Sequence, residues 1–425
     1  MRQSAVPTKV NNVPVFLPFR GLRYRPLAAG LTDLSAVVAP PYDVIHDDER
    51  DVLEGRDPHN AVRLILPRPH ADHDEYAAAA GLLGAWRADG VLAVDDAPAF
   101  YGYRMAFTDA DGRSRVTHGV VGALGLPPDG PGTGDILPHE RTIPRHRTDR
   151  LSLLRATRAN LDPIWGLSGA AGLAAIVGDP DADDDADERN AVDPEGVQHA
   201  AWPITDPARV GAIRDAVGSG PLVLADGHHR FETACAYRAE RPADDPGADA
   251  IMALVVELAD DELWVAPIHR LAREPVSRAR LDHAFTLDAM GENTPDGVAA
   301  LEHAMAGRGA LGLIDGDGLA LLTPRADVVT PLLKVEPLEA RSADAAVFEV
   351  AVMPCLDDAP LEYRSDAHAV ADVVRRRDAA AAFLLRPVSV AEIRAASYAG
   401  VRMPQKTTFF APKPRTGLVF RSLDD

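Results

Sequence analysis

Cysteine is nearly absent. Two residues, Cys235 and Cys355, stand among 425. That excludes a disulfide framework and a cysteine-built zinc site. Long apolar runs are missing too, since a membrane-spanning helix needs roughly 18 or more consecutive apolar residues. The opening "MRQSAVPTKVNNVPVFLPFR" lacks the apolar centre of a signal peptide, so a cytoplasmic protein with no membrane partner is expected. Lysine is scarce, occurring only at Lys9, Lys334, Lys406 and Lys413; all other fixed side-chain positive charge is arginine. Positive charge is outnumbered overall, 44 Lys and Arg against 64 Asp and Glu, for a net charge of −20. Such a surface repels nucleic acid, and no nucleic-acid partner is expected.

What is present is a globular composition, 46% hydrophobic. The segments "AFYGYRMAF" and "RVTHGVVGALGL" read as strands around the turn "DADGR". "DEYAAAAGLLGAWRADG" reads as a helix stopped at Gly90, and "TDRLSLLRATRAN" as a helix capped by Thr148. Asp206-Pro207, Thr294-Pro295 and the capping box Ser389…Glu392 each predict a helix start. "PLVLA", "AIMALVVEL", "LWVAPIHRL", "ALGLIDG", "LALLTP" and "AAFLLRP" read as strands. The mixture predicts an α/β (mixed α+β) fold with mixed sheets and helices in two lobes. The expected division is an N-terminal lobe over 1–178, an acidic surface loop over 179–192 and a C-terminal lobe over 193–425.

One short segment concentrates chemistry. In "VLADGHHRFETACAYR" a buried strand ends at Asp226-Gly227 and a helix follows, with Cys235 inside it as a small buried hydrophobe. A helix start exposes backbone N–H groups and positive potential, and glycine lets a ligand approach the backbone. His228, His229 and Arg230 add donors. Asp226 is placed to cap the helix, to hold a magnesium ion or to act as a base. A second reading is a metal site built from Asp226, His228, His229 and His269. Adjacent histidines on a strand would point to opposite faces, which works against that reading.

Three further segments bear on the choice. "LPHERTIPRHRTDRLSLLRATRAN" carries six arginines against Glu140 and Asp149. Arg141 precedes its helix, and Arg150 and Arg158 are expected on one helix face. "GVRMPQKTTFFAPKPRTG" holds Arg402, Lys406, Lys413 and Arg415 with no acid, beside Thr407. Lysine supplies a compact point charge in a chain that otherwise uses arginine, which suits a phosphate. In "APPYDVI", Pro40-Pro41 stiffens the chain around Tyr42 and Asp43, making Asp43 a candidate base or magnesium ligand.

These segments together resemble a known family. "PFRGLRY", "APPYDVI", "LPHERT", "DRLSLLRATRAN", "ADGHHRFETA", "APIHRL" and "MPQKTTFFAPKPRTGLV" occur in this order in the bacterial and archaeal proteins grouped as DUF1015. The family pattern has tyrosine where Phe231 stands and serine near Thr407. Separately, Asp226-Gly-His-His-Arg230 resembles the same motif in the free-serine kinases of the ParB/sulfiredoxin-like superfamily. That resemblance implies a strand-turn-helix phosphate site at Gly227 to Arg230, with Asp226 serving a metal or a hydroxyl. It also implies a small hydroxy amino acid as substrate and an upstream catalytic glutamate, for which Asp43 and Glu140 are the candidates.

The expectation is a nucleotide-dependent phosphotransferase acting on a small hydroxylated metabolite, with free serine as the sharpest choice and ATP or ADP with Mg2+ as cofactors. Asp226, Asp43 and Glu140 are the catalytic candidates. Gly227, His228, His229, Arg230, Arg141, Arg150, Arg158, Lys406 and Thr407 are the phosphate or nucleotide ligands. Tyr42 and His269 are the substrate contacts, and Asp226 is the metal ligand. Two other readings stay open: a metal-dependent hydrolase or phosphatase using Asp226, His228 and His229, and a non-catalytic nucleotide-binding regulator.

Overall fold

The computed structural model describes residues 13–25, 33–69, 74–109, 112–140, 147–180, 189–241, 245–357 and 359–425. The chain is mixed α/β and divides into two units. The first comprises 1–137, 144–262 and 412–425; the second comprises 138–143 and 263–411.

The first unit is organised on a mixed sheet of nine strands. From Leu222–Asp226 the order runs through Ile164–Ser168, Ala250–Glu257, Ser114–Gly125, Phe100–Thr108 and Gln198–Ile204 to Arg189–Val192. Ala250–Glu257 lies parallel to Ile164–Ser168, and the other neighbours along this path are antiparallel. The acidic run 179–192 is therefore not the division between the units, because strands on both sides of it share one sheet. Most of that run, 181–188, lies outside the described residues. The sheet's central strands are nearly continuous apolar runs, as strands covered on both faces must be. Val120, Leu124, Trp202, Leu222, Leu224, Ala253 and Val255 form one core with Phe231, Ala234 and Cys235. Those last three sit at i, i+3 and i+4 on the helix His228–Glu240, so the helix lays one stripe on the sheet.

The second unit carries a six-stranded sheet, ordered Phe285–Gly291, Gly318–Pro324, Leu311–Asp315, Ala381–Leu384, His269–Ala272, Leu361–Arg364 and antiparallel throughout. Strand periodicity decides its layers. Leu311, Leu313, Ala381 and Phe383 face a core with Phe348. Ile314, Ala382 and Leu384 face the opposite core, with Leu301, Met305, Val370 and Val374 from two helices.

Sequence signals placed many ends well. Asp206 caps Pro207–Val217, Thr294 caps Pro295–Arg308, and the Ser389–Glu392 box is formed. Two details differ. The helix Arg147–Thr157 starts one residue before Thr148. "LWVAPIHRL" is two strands, Trp264–Ala266 and His269–Ala272, in different sheets, because the intervening Pro267 cannot donate to a ladder.

Candidate active site

The strand Leu222–Asp226 is buried until its last residue. Its register against Ile164–Ser168 slips between Leu224 and Asp226, so Ala225 is the extra residue of a bulge. A bulge re-aims the side chain that follows it. Gly227 then turns the chain at φ +82, and the helix His228–Glu240 begins at once. A Cβ at Gly227 would lie 2.8 Å from Ile164 Cγ2 and 3.1 Å from Ile164 Cα. Only glycine meets both demands. His228 and His229 are thus the first two residues of a helix, not strand neighbours on opposite faces.

Asp226 is flanked by two cations. Lys413 Nζ stands 3.1 Å and Arg230 Nη2 3.4 Å from its Oδ2. Burial pushes the Asp226 carboxyl up, but Lys413 and Arg230 together outweigh it and hold it well below the usual range. Arg230 also donates from Nη1 to the Pro163 carbonyl at 2.6 Å and lies 5.9 Å from the centre of the Tyr42 ring. The Arg150 guanidinium covers the same ring at 4.2 Å and donates to the Ile65 carbonyl at 2.6 Å. Burial, partly countered by Arg230, pushes the Tyr42 hydroxyl up to about 12. Tyr42 and Asp43 lie in a short 3-10 turn, Tyr42–Val44, with Asp43 exposed.

The C-terminal segment ties these parts together. Ala39 and Thr416 exchange backbone hydrogen bonds at 3.0 and 2.8 Å, joining "APPYDVI" to "PKPRTG". Arg415 anchors the same segment, with its N–H donating to Tyr103 Oη at 2.8 Å and its guanidinium 2.5 Å from Asp193. The Thr416 hydroxyl donates to Asp162. Asp162 is only 8% exposed. Burial dominates its proton affinity and lifts it to about 6, against the pull of Arg230 and Arg150 and with help from Asp43 and Asp226. Asp226, Arg230, Arg150, Tyr42, Asp43, Asp162 and Lys413 therefore form one electrostatic cluster within the first unit.

Other expected ligands have partners of their own. Arg158 follows the end of its helix at φ +46 and pairs with Asp245 at 3.1 Å and Asp424 at 2.7 Å, so it does not share an anion-facing stripe with Arg150. Arg141 lies outside the described residues. In the second unit, the Glu140 carboxylate accepts from the backbone N–H groups of Lys406 (3.2 Å), Thr407 (3.0 Å) and Thr408 (2.7 Å), and from the Thr408 hydroxyl (2.7 Å). Burial raises the Glu140 carboxyl, and the bonds from His139 and Thr408 overcome this and bring it down to about 2. Lys406, at φ +57, shapes this cradle and is itself exposed. The Thr407 hydroxyl donates to Pro404. Glu140 thus organises the "QKTT" loop, an anion-binding turn filled by the chain's own carboxylate.

The four-ligand metal reading meets a correction. Among the described residues, no group of three or more His, Cys, Asp or Glu side chains is gathered as a metal site. His269 is buried in the second unit, where its Nδ1 accepts from the Leu385 N–H at 3.2 Å. Burial, then the neighbouring Arg270, lowers its proton affinity to about 4.

A family model described as "Protein of unknown function (DUF1015)" matches residues 16–346. The chain belongs to the DUF1015 family. No match was found among curated proteins. Among solved structures, a free serine kinase variant in complex with ADP is similar at 12% identity, with a TM-score of 0.37, over 67% of this chain and 89% of that one. A conserved hypothetical protein from Pyrococcus furiosus is similar at 14% identity, with a TM-score of 0.36, over 68% and 93%. SbnI with a C-terminal truncation, from Staphylococcus aureus, is similar at 12% identity, with a TM-score of 0.33, over 67% and 83%.

Sequence reading of this DUF1015 chain missed Asp162 and Thr416. "NLDPIW" offers no motif, and the only available signal was an acid between apolar residues just before a buried strand. Cys235 is buried as expected, and burial pushes its thiol up to about 11, which keeps it out of thiolate chemistry.

Proposed function

We propose that the first unit of this DUF1015 chain binds nucleotide phosphates at the head of the helix His228–Glu240 and transfers a phosphoryl group to a small hydroxylated metabolite. The observation that carries this reading is the turn at Gly227: left-handed backbone with no room for a Cβ, at the head of a 13-residue helix, with Lys413 and Arg230 beside it. Helix-start N–H groups and adjacent cations suit an anion with several oxygens. In phosphoryl transfer the protein chiefly positions the groups and stabilises the transferring charge.

The residues divide the work. The backbone at Gly227 to Arg230 cradles phosphate, and Lys413 and Arg230 steady the charge that develops during transfer. Asp226 stays ionised at neutral pH, as a hydroxyl-orienting group or metal ligand must. Mg2+ commonly takes one or two carboxylates and completes its shell with phosphate oxygens and water, and here it would share the Asp226 carboxylate with Lys413 and Arg230. Asp226 would hold it, with Asp43 the second candidate, and the ion would neutralise phosphate charge. Free serine comes forward as acceptor from the resemblance of Asp226-Gly-His-His-Arg230 to the free-serine kinase motif.

The test is incubation of purified, folded protein with ATP or ADP, Mg2+ and a panel of hydroxylated metabolites headed by L-serine, read by 31P NMR for a new phosphomonoester. Product formation supports the reading. Nucleotide binding without any product would favour a non-catalytic regulator, and no nucleotide binding at all would refute both.

A further inference from the structure

A second polar network lies inside the first unit, at the turn between the strands Arg189–Val192 and Gln198–Ile204. Asp193 opens that turn, and its Oδ1 accepts from the Val197 N–H at 2.8 Å. Its Oδ2 faces two partners, His199 Nε2 at 3.2 Å and the Arg415 guanidinium at 2.5 Å. His199 Nδ1 lies 3.1 Å from Tyr103 Oη, and Tyr103 Oη accepts from the Arg415 N–H at 2.8 Å. Asp193, His199 and Tyr103 are 8%, 1% and 2% exposed. The contacts close a ring that leaves Arg415 at its backbone and returns to it at its guanidinium.

Counting protons gives the ring one direction. Burial raises the Asp193 carboxyl, but the bonds from His199 and Arg415 outweigh it and hold it well below the usual range, so it only accepts. His199 Nε2 therefore carries the imidazole proton. Burial, with Arg415, lowers the proton affinity of His199 against the pull of Asp193, so the imidazole is neutral and its Nδ1 accepts. Burial pushes the Tyr103 hydroxyl well above its usual range, so it keeps its proton and donates it to Nδ1. One side chain must accept on one edge and donate on the other, which an imidazole does and an apolar core residue cannot. Such buried bonds strengthen one another when every member is satisfied.

Arg415 stands two residues after Lys413, and Lys413 is flanked by Pro412 and Pro414. Proline locks its own φ, so the backbone from 412 to 415 has little freedom. Where Arg415 is clamped thus sets the direction from which Lys413 reaches Asp226, 3.1 Å away. We propose that His199 is a positioning residue for the anion site at Gly227 to Arg230: by locking Arg415 through Tyr103 and Asp193, it aims Lys413 at Asp226 and at the phosphate bound there. The proposal rests on the phosphate-binding reading of that site and names what holds its lysine in place.

Calorimetry of ADP binding to the full chain tests this in a double-variant cycle. His199→Phe keeps the bulk of the ring and removes both nitrogens, and His199→Gln keeps a donor for Asp193. Lys413→Met alone is expected to weaken ADP about tenfold. His199→Phe should weaken it about fivefold and His199→Gln only about twofold. In the Lys413→Met background, His199→Phe should add less than about twofold, because the lysine through which it acts is gone. A histidine that only supports the fold would weaken ADP equally in both backgrounds. That result, or no change in either, overturns the proposal and leaves the phosphate site standing. Should His199→Phe not fold, Tyr103→Phe, which removes the hydroxyl that accepts the Arg415 N–H, takes its place in the cycle. If the wild-type chain binds no ADP, the nucleotide reading falls and urea unfolding decides the positioning role. The coupling between Lys413→Met and Asp226→Asn should then drop by at least half in His199→Phe, and an unchanged coupling refutes it.

Discussion

Replacing Lys413 by methionine keeps most of the side chain's length and removes its charge. In the folded protein Lys413 Nζ is 3.1 Å from Asp226 Oδ2, with the side chains 16% and 20% exposed. Coulomb attraction at that distance is about 5 kcal/mol for an effective dielectric near 20. Desolvation of both groups offsets much of it. Breaking a fully buried pair from one side costs about 3–5 kcal/mol. Here the pair keeps some water, and Arg230 remains 3.4 Å from the same oxygen. The expected loss is therefore about 2 kcal/mol. Asp226→Asn combined with Lys413→Met should cost less than the sum of the single changes, with a coupling of about 1–2 kcal/mol. Urea unfolding followed by tryptophan fluorescence suits the measurement, because Trp86, Trp165 and Trp202 lie in the first unit and only Trp264 in the second. The pair also fixes a pH dependence. The Asp226 carboxyl is held below its unfolded value, so its stabilisation is complete above the unfolded pKa near 4 and is lost as pH falls below it. The cost of Lys413→Met should be largely retained at pH 3, where the folded Asp226 carboxylate is still ionised beside Lys413, and should shrink only as pH falls through the depressed folded value. A single-variant cost under about 0.5 kcal/mol, or strict additivity in the double variant, would show that the pair does not organise the site.

Other expectations follow from single residues. Gly227→Ala should destabilise the first unit by about 2–3 kcal/mol, from the left-handed backbone and the contact with Ile164, and should abolish ADP binding by calorimetry. Asp162 has the opposite sign to Asp226. Its folded carboxyl, moved from 3.8 to about 6, holds its proton more tightly than the unfolded chain does. Stability should fall as pH rises from about 4 to 6, by about 3 kcal/mol, and Asp162→Asn should flatten that slope in urea titrations across the range. The facing groups are Arg230, Arg150, Asp43, Asp226 and Thr416. Glu140→Ala should raise amide hydrogen exchange at Lys406, Thr407 and Thr408 by at least tenfold, whereas unchanged exchange would mean the carboxylate does not hold that loop.

Local chemistry was legible in the sequence and distant pairing was not. Caps at Asp206, Thr294 and Ser389 could be read because a cap and its amides lie within four residues. Asp226-Gly227 ending a strand and opening a helix was legible for the same reason. The helix Asp47–Arg56 escaped because "DDERDVLEGR" offers little apolar periodicity and buries only Leu53. The partnership of Asp226 with Lys413 spans almost the whole second half of the chain, and no spacing rule connects them. Scarcity of lysine did flag Lys413, but it flagged Lys406 equally, and within its own unit Lys406 shapes the loop around Glu140. The unit boundary was hidden because it is not a boundary in sequence: the chain leaves the first unit and later returns to it.

That return constrains the order of assembly. On a ribosome, Asp226 and Arg230 emerge well before Lys413, Arg415 and Thr416, with the whole of 263–411 made in between. Throughout that interval the helix head exists without the lysine that neutralises Asp226 and without the hydroxyl that orients Asp162. The first unit thus starts to be made first and is completed last, and a chain stalled within 263–411 carries every residue of the "DGHHR" motif while lacking Lys413 and Thr416.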